Sequence, residues 1–303
     1  METRNYYIHA LSGLHMGTGQ GTGVIDLPLA REKSTGLPIV PGSGMKGVLR
    51  DQCYPSDNNN LQLWEVLFGP ESKELKDKDG FAGAIAVQDA RLLCLPVRSV
   101  KGVFAWVSCP FILHRFFRDS GLLVGDDSLS VPAVVDNEAV VGENCQLVFC
   151  ENEIFLEDLT FTKKDSEDVT AIAKIIAEDV FPEDGSENFW QNFFKERFMV
   201  VSDGVFSFLA DTATEIQARI KLKKDTKTVE KGGLWYEENL PAETILHGIL
   251  GCSRSRNDEK YEGDGKELMN QFMSELVEGS ELHLQIGGNA TVGRGNVRWI
   301  VKS

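Results

Sequence analysis

The order of apolar and polar positions divides the chain into short strands, a few helices and polar breaks. Asn5 to Leu14 (NYYIHALSGL) is rich in β-formers and reads as a first strand, with His9 as one of its side chains. Pro38 and Pro41 forbid helix through LPIVPGS. Ser43 then reads as the cap of a helix starting at Met45, and Leu61 to Phe68 continues the helical character. Ala84 to Leu95 and Gly102 to Pro110 read as strands joined by a turn at 97–101, and Ile112 to Phe117 starts a helix. From Ser130 to Leu156 the apolar runs are short and broken by turns, which suits short strands. Val169, Ile172, Ile175 and Ile176 make one stripe of a helix over Asp165 to Asp179, with Ser166 as its cap. Glu187 to Met199 reads as a second helix, Gly204 to Leu209 as a short strand or turn, and Lys266 to Val277 as a helix. Thr244 to Cys252, Leu282 to Ile286 and Trp299 to Val301 read as strands. Arg219 to Leu234 alternates as a hairpin with Lys223 to Lys227 at its tip. Charged or polar breaks fall at 54–60, 71–80, 119–127 and 253–265. Strands and helices mix without β-α-β alternation, so the expected class is α+β, built on an antiparallel sheet.

Composition narrows the partners. The 303 residues carry a net charge of −15, which argues against indiscriminate nucleic-acid binding. The charge is uneven, however. Acids dominate from Glu151 to Glu187, whereas Arg219 to Lys231 holds six cations against Asp225 and Glu230. Such a basic stretch can hold phosphates while the rest repels stray polyanions. The six cysteines form no C-x-x-C pair, so neither a zinc ribbon nor a thioredoxin-like motif is supported. No apolar run approaches the ~20 residues of a bilayer span, and METRNYYIHALSG has no secretory apolar region. The expectation is a cytoplasmic protein with reduced thiols and no membrane contact.

Candidate chemistry concentrates between Ser12 and Arg50. Gly17, Gly19, Gly21 and Gly23 alternate with small or polar residues, so another backbone can approach closely there. The spacing fails G-x-G-x-x-G, because the third glycine falls on Thr22 or Val24. Gly42-Ser-Gly-Met-Lys46 fails the P-loop pattern, with Gly47 where Ser or Thr is needed. A dinucleotide or P-loop enzyme is therefore remote. His15 and Asp26 bracket the loop. Lys46 and Arg50 lie four apart on one helix face beside a glycine turn, which suits a phosphate chain. Asp26 reads either as a catalytic carboxylate or as a structural one pairing with Arg31 or capping a turn.

The stretch IDLPLAREKSTGLPIVPGSGMKGVLR resembles the N-terminal signature of the RAMP superfamily, RNA-binding proteins of CRISPR systems. Within it the resemblance is to the backbone, target-cutting subunit of type III-B (Cmr) effector complexes. GGNATVGRGN, from Gly287 to Asn296, is similar to that superfamily's glycine-rich C-terminal loop, and Arg219 to Pro241 to its thumb. The resemblance implies a single domain: a ferredoxin-like, RRM-related palm at about 1–150 and 244–303, a helical insertion at about 151–210 and a thumb at about 217–241. It implies that Asp26 is required for target cutting and holds a divalent metal, most simply Mg²⁺. His15 is then an auxiliary or binding residue, and Glu237 and Glu238 are candidate helpers that read equally as a solvated charge pair. Ser43, Gly44, Lys46, Arg50, Arg31, Gly288 and Arg294 become contacts to the RNA backbone, with Arg294 the best phosphate contact among Gly287, Gly293 and Gly295. Trp235 and Tyr236 can wedge between bases, one of them anchoring the hairpin. The implied partners are guide RNA, target RNA, copies of the chain stacked head to tail and other subunits of the complex. Two readings stay open beside target cutting: a scaffold that cuts nothing, and a guide-processing ribonuclease using His15 as base.

Overall fold

The computed structural model describes residues 1–21, 23–55, 60–70, 80–122, 129–182 and 188–302. Thr22, most of the breaks expected at 54–60, 71–80 and 119–127, and Glu183, Asp184 and Glu187 lie outside them.

The first strand, Glu2–Ala10, sits inside the sheet between Ile245–Cys252 and Asn296–Lys302, antiparallel to both, with Ile8 opposite Leu246 and Trp299. Tyr6 to Ala10 are all buried, because helices cover both faces of this strand. On one face, Tyr7 packs against Phe116 of the helix Pro110–Ser120 and donates its hydroxyl to Asp179 of the helix Glu167–Val180 at 2.6 Å. On the other, Trp299 meets Tyr6 and Phe272, and Phe272 meets Phe68 of the helix Leu61–Phe68.

From Ile245–Cys252 the sheet runs through Ala90–Arg98, Phe104–Ser108, Phe198–Val200, Glu138–Val141, Leu159–Asp165, Glu153–Leu156 and Val148–Cys150. Glu281–Gln285 closes the opposite edge. Most pairings are antiparallel, as expected. Two are parallel: Phe198–Val200 with Phe104–Ser108, and Glu138–Val141 with Leu159–Asp165. Residues 151–210 are therefore not purely helical, since three of their segments extend the same sheet. The α+β class holds, with a mixed sheet.

Several local expectations are corrected. The helix after the second glycine turn is Gly42–Gln52; Pro41 occupies its cap position and Ser43 caps nothing. Gly42 lies against Val87, whose carbonyl would be 2.2 Å from an added Cβ, and its N–H donates to Asp89 at 2.7 Å. Gly204 to Leu209 lies within a helix, Asp203–Thr212, capped by Ser202 through the Val205 N–H. The aromatic helix is only Phe189–Lys195, followed by a strand, and Gly265–Gln271 passes into a wider π-type turn at Phe272–Leu276. Ser166 caps its helix as read. The hairpin is Glu215–Leu222 paired with Val229–Asn239. Among the described residues no helix is long and apolar enough to cross a membrane.

Trp106 is fully buried, donates its indole N–H to the Glu243 carbonyl at 2.8 Å and contacts Phe104, Phe181, Phe193 and Phe194. Trp106→Ala is expected to destabilise the fold by about 3–5 kcal/mol, read as a lower denaturant midpoint. Glu32 accepts both guanidinium arms of Arg115 at 2.8 Å and the Thr35 hydroxyl at 2.7 Å. These bonds, the Arg115 pair first, hold its carboxyl down to about 2. A depressed carboxylate stabilises the fold above its unfolded value near 4.5 and loses that contribution as pH falls toward 2. Arg115→Gln should flatten this part of the stability–pH curve, measured by denaturation between pH 5 and pH 2.

Candidate nucleic-acid interface

Three segments converge on Gly13 to Met16. Leu14 exchanges main-chain hydrogen bonds with Leu240 at the hairpin base, at 2.8 and 2.9 Å. On the other side Gly295 N–H donates to the Gly13 carbonyl at 2.9 Å and Gly288 N–H to the His15 carbonyl at 3.0 Å. The C-terminal glycine loop can lie this close only without side chains. A Cβ on Gly287, whose φ is +77°, would stand 2.2 Å from the His15 carbonyl oxygen. His15 itself is 7% exposed. Its Nδ1 donates to the Glu238 carbonyl at 2.7 Å, the only role a carbonyl partner allows, so the neutral ring carries no proton on Nε2. That Nε2 faces Gly17, where an added Cβ would be 2.5 Å away. His15 thus pins the glycine loop to the hairpin base.

Asp26 lies at the surface. Its Oδ2 accepts the Tyr236 main-chain N–H at 2.8 Å, while Oδ1 has no partner among the described residues. It does not pair with Arg31. The loop then runs along the hairpin strand: Leu27 N–H donates to the Tyr236 carbonyl, and Glu238 N–H to the Leu27 carbonyl, both at 3.0 Å. Glu238, 2% exposed, accepts from the Leu29 N–H at 3.0 Å, the Arg31 guanidinium at 2.6 Å and the Thr214 hydroxyl at 3.0 Å. Arg31 also reaches Asp211 and the carbonyls of Gly36 and Ala210. It anchors the loop, with its charge balanced by Glu238 and Asp211.

Glu237 is likewise buried, not solvated, at 5% exposure. It accepts the Trp235 indole N–H at 2.8 Å and the Asn289 amide at 2.9 Å, with Arg219 at 3.6 Å. Trp235 is therefore the anchoring ring, and Tyr236, 41% exposed, the free one. Asn289 was not legible as a site residue. Its setting between glycines, at φ 64°, was the available signal, because asparagine tolerates the left-handed region.

The cations fall into three groups. Arg294 pairs with Glu215 at 3.0 Å through one guanidinium nitrogen. Lys46 donates to the Ile85 carbonyl at 2.7 Å, and Arg50 donates to the carbonyls of Gly69 and Pro70 while lying over Trp64. Neutral carbonyls orient these cations without cancelling them. Burial, then Arg50, pulls the Lys46 pKa down. Lys223, Lys224, Lys227 and Lys231 project from the hairpin tip with no ion-pair partner among the described residues, whereas Lys221 pairs with Glu230. Ser43 and Gly288 are exposed, and Gly44 lies against Met16.

No cluster of three or more His, Cys, Asp or Glu side chains fit to hold a metal occurs among the described residues. Asp26 Oδ1 would be the carboxylate oxygen this loop offers to a hydrated divalent cation, whose charge would offset that of a nearby phosphate.

Residues 7–298 match the RAMP superfamily, and the chain belongs to it. Its relatives within that superfamily include Cmr4 subunits. The CRISPR system Cmr endoribonuclease Cmr4 of Pyrococcus furiosus is 34% identical over 299 residues, 97% of this chain and 94% of that protein. The CRISPR system CMR subunit Cmr4 of Saccharolobus solfataricus is 22% identical over 314 residues, 97% and 96% of the two. The crystal structure of oligomeric Cmr4 from Pyrococcus furiosus superposes with a TM-score of 0.71 at 25% identity, covering 100% of this chain and 98% of the other. A type III-B Cmr-beta complex bound to cognate target RNA contains a chain with the same fold, TM-score 0.72 at 18% identity, covering 99% and 97%.

Gly287→Ala tests the convergence. With a positive φ and a backbone oxygen in the way, it is expected to cost about 1–3 kcal/mol or more and to lower the melting temperature, whereas Gly293→Ala, with open space around it, should cost less.

Proposed function

We propose that the chain is a repeating backbone subunit of a type III-B Cmr effector complex, which holds guide RNA and cuts the complementary target RNA. The observation that carries this is Asp26. It stands at the surface of a glycine loop, with one carboxylate oxygen fixed by the Tyr236 N–H and the other without a partner among the described residues. Relatives named as a Cmr endoribonuclease and a CMR subunit support the reading. Base pairing to the guide supplies sequence selection, so the protein need only grip backbone and shape.

RNA carries its own nucleophile. Cleavage needs the 2′-hydroxyl in line with the scissile phosphorus, a proton acceptor, and relief of charge on the phosphate. Asp26 accepts the proton or orients the hydroxyl through Oδ1. A bound Mg²⁺ on Asp26 would supply the charge neutralisation. The 2′-oxygen bonds to phosphorus, the 5′-oxygen leaves with a proton, and the ends are a 2′,3′-cyclic phosphate and a 5′-hydroxyl. His15, covered by Gly17, acts as a positioning residue, which weighs against the histidine-based guide-processing reading. Lys46 and Arg50 retain uncancelled charge for guide phosphates, with Ser43, Gly44 and Gly288 leaving room for the chain.

The hairpin acts as the thumb. Ile216, Ile220, Leu222, Val229, Leu234 and Tyr236 line one of its faces and are 41–54% exposed. Such an uncovered apolar face is suited to a neighbouring copy and to an unstacked base, with the lysine tip drawn to phosphate. Head-to-tail contacts of this kind do not close, so copies extend into a filament that cuts at even intervals.

In a complex reconstituted with guide and target, Asp26→Asn should lower target cleavage by about 10²–10⁴-fold with guide binding unchanged, and EDTA should slow the wild type. Lys46→Ala with Arg50→Ala should weaken guide binding and reduce its salt dependence. Undiminished cutting by Asp26→Asn would leave only a guide-holding scaffold.

A further inference from the structure

We infer that Glu238 is the positioning residue of the Asp26 loop, setting where that carboxylate stands relative to the thumb. This rests on the proposed cleavage role of Asp26. From Asp26 to Arg31 the loop buries few apolar side chains of its own, only Leu29 and Ala30. What fixes it is a ladder onto one strand: Asp26, Leu27, Leu29 and Arg31 all bond to Tyr236 or Glu238. Glu238 makes five hydrogen bonds here, three of them to the loop. Its N–H holds Leu27, one carboxylate oxygen holds the Leu29 N–H, the other holds Arg31 and Thr214, and its carbonyl holds His15.

The chemistry of the tie explains why a carboxylate stands there. Leu29 N–H, the Arg31 guanidinium and the Thr214 hydroxyl are three donors converging on two oxygens. Only an ionised carboxylate accepts them all; a glutamine would turn a donor toward either Leu29 or Arg31. Arg31 is the nearest cation along the chain to Asp26, and Glu238 with Asp211 draws it away. Among the described residues Asp26 Oδ1 stays unpaired. Asp26 bonds the Tyr236 N–H and not Glu238, so Glu238 reaches that carboxylate only through the loop. Glu237, its neighbour, serves the opposite face through Trp235 and Asn289.

The test uses the reconstituted complex with Glu238→Gln and Glu238→Ala, the first keeping size and fold if the second does not. Two readings are taken: amide hydrogen exchange of the segment 26–31, and single-turnover target cleavage beside target affinity. Faster exchange in that segment is expected for both variants. Cleavage should slow about 10- to 100-fold with target affinity unchanged, and Glu238→Gln should lie between wild type and Glu238→Ala. Unchanged protection of 26–31 overturns the proposal, as does wild-type cutting by Glu238→Ala in a complex where Asp26→Asn cuts poorly. If the wild-type complex cuts nothing, the cleavage reading fails, and the exchange result alone then decides whether Glu238 holds the loop.

Discussion

The interface depends on a strand holding a loop. A segment of glycines and polar residues cannot fix itself by burial, since it has little apolar surface to remove from water. Here the main chain does the fixing. Leu27 is bonded on both sides into the Tyr236–Glu238 stretch, and Leu14 into Leu240 two residues on. The hairpin base therefore carries the glycine loop, Asp26 and His15 as one unit, and any shift of the hairpin at its root moves the carboxylate with it. The C-terminal glycines complete the unit from the far side, where only residues without Cβ can lie against the His15 carbonyl.

Charge is arranged with the same economy of placement. At a net charge of −15, any surface meant for phosphate has to be a local one. Arg31 and Arg294 are paired with Glu238, Asp211 and Glu215 and become structural struts. Lys46 and Arg50 are steered by carbonyls and keep their charge. The tip lysines have no ion-pair partner among the described residues, and the hairpin's other flank is apolar. One hairpin thus offers both an electrostatic and an apolar face.

Much of this was legible in the sequence, and the failures have a common cause. Local signals worked: Ser166 capping its helix, the alternation of the hairpin, and the glycine spacing that excluded a nucleotide fold. Gly204 misled because a glycine near a helix start masked the apolar spacing of Val205, Phe206 and Leu209 and the Ser202 cap. The pairing of Arg31 could not be read, because its partner lies 207 residues away while Asp26 is five positions off. Glu237 and Glu238 read alike in sequence, yet alternation in a strand sends them to opposite faces and to different work. The parallel pairings within the sheet were equally invisible, since periodicity reports burial but not strand direction.

The most direct measurement is a structure of the assembled complex with guide and a target carrying a 2′-deoxy nucleotide at the cut site. The account predicts that the Asp26 carboxylate stands within direct or metal-bridged reach of the scissile phosphate, still bonded to the Tyr236 N–H, with the flanking base displaced by a neighbour's thumb. A carboxylate turned away from the strand, or a cut site on the far side of the hairpin from Asp26, would contradict it.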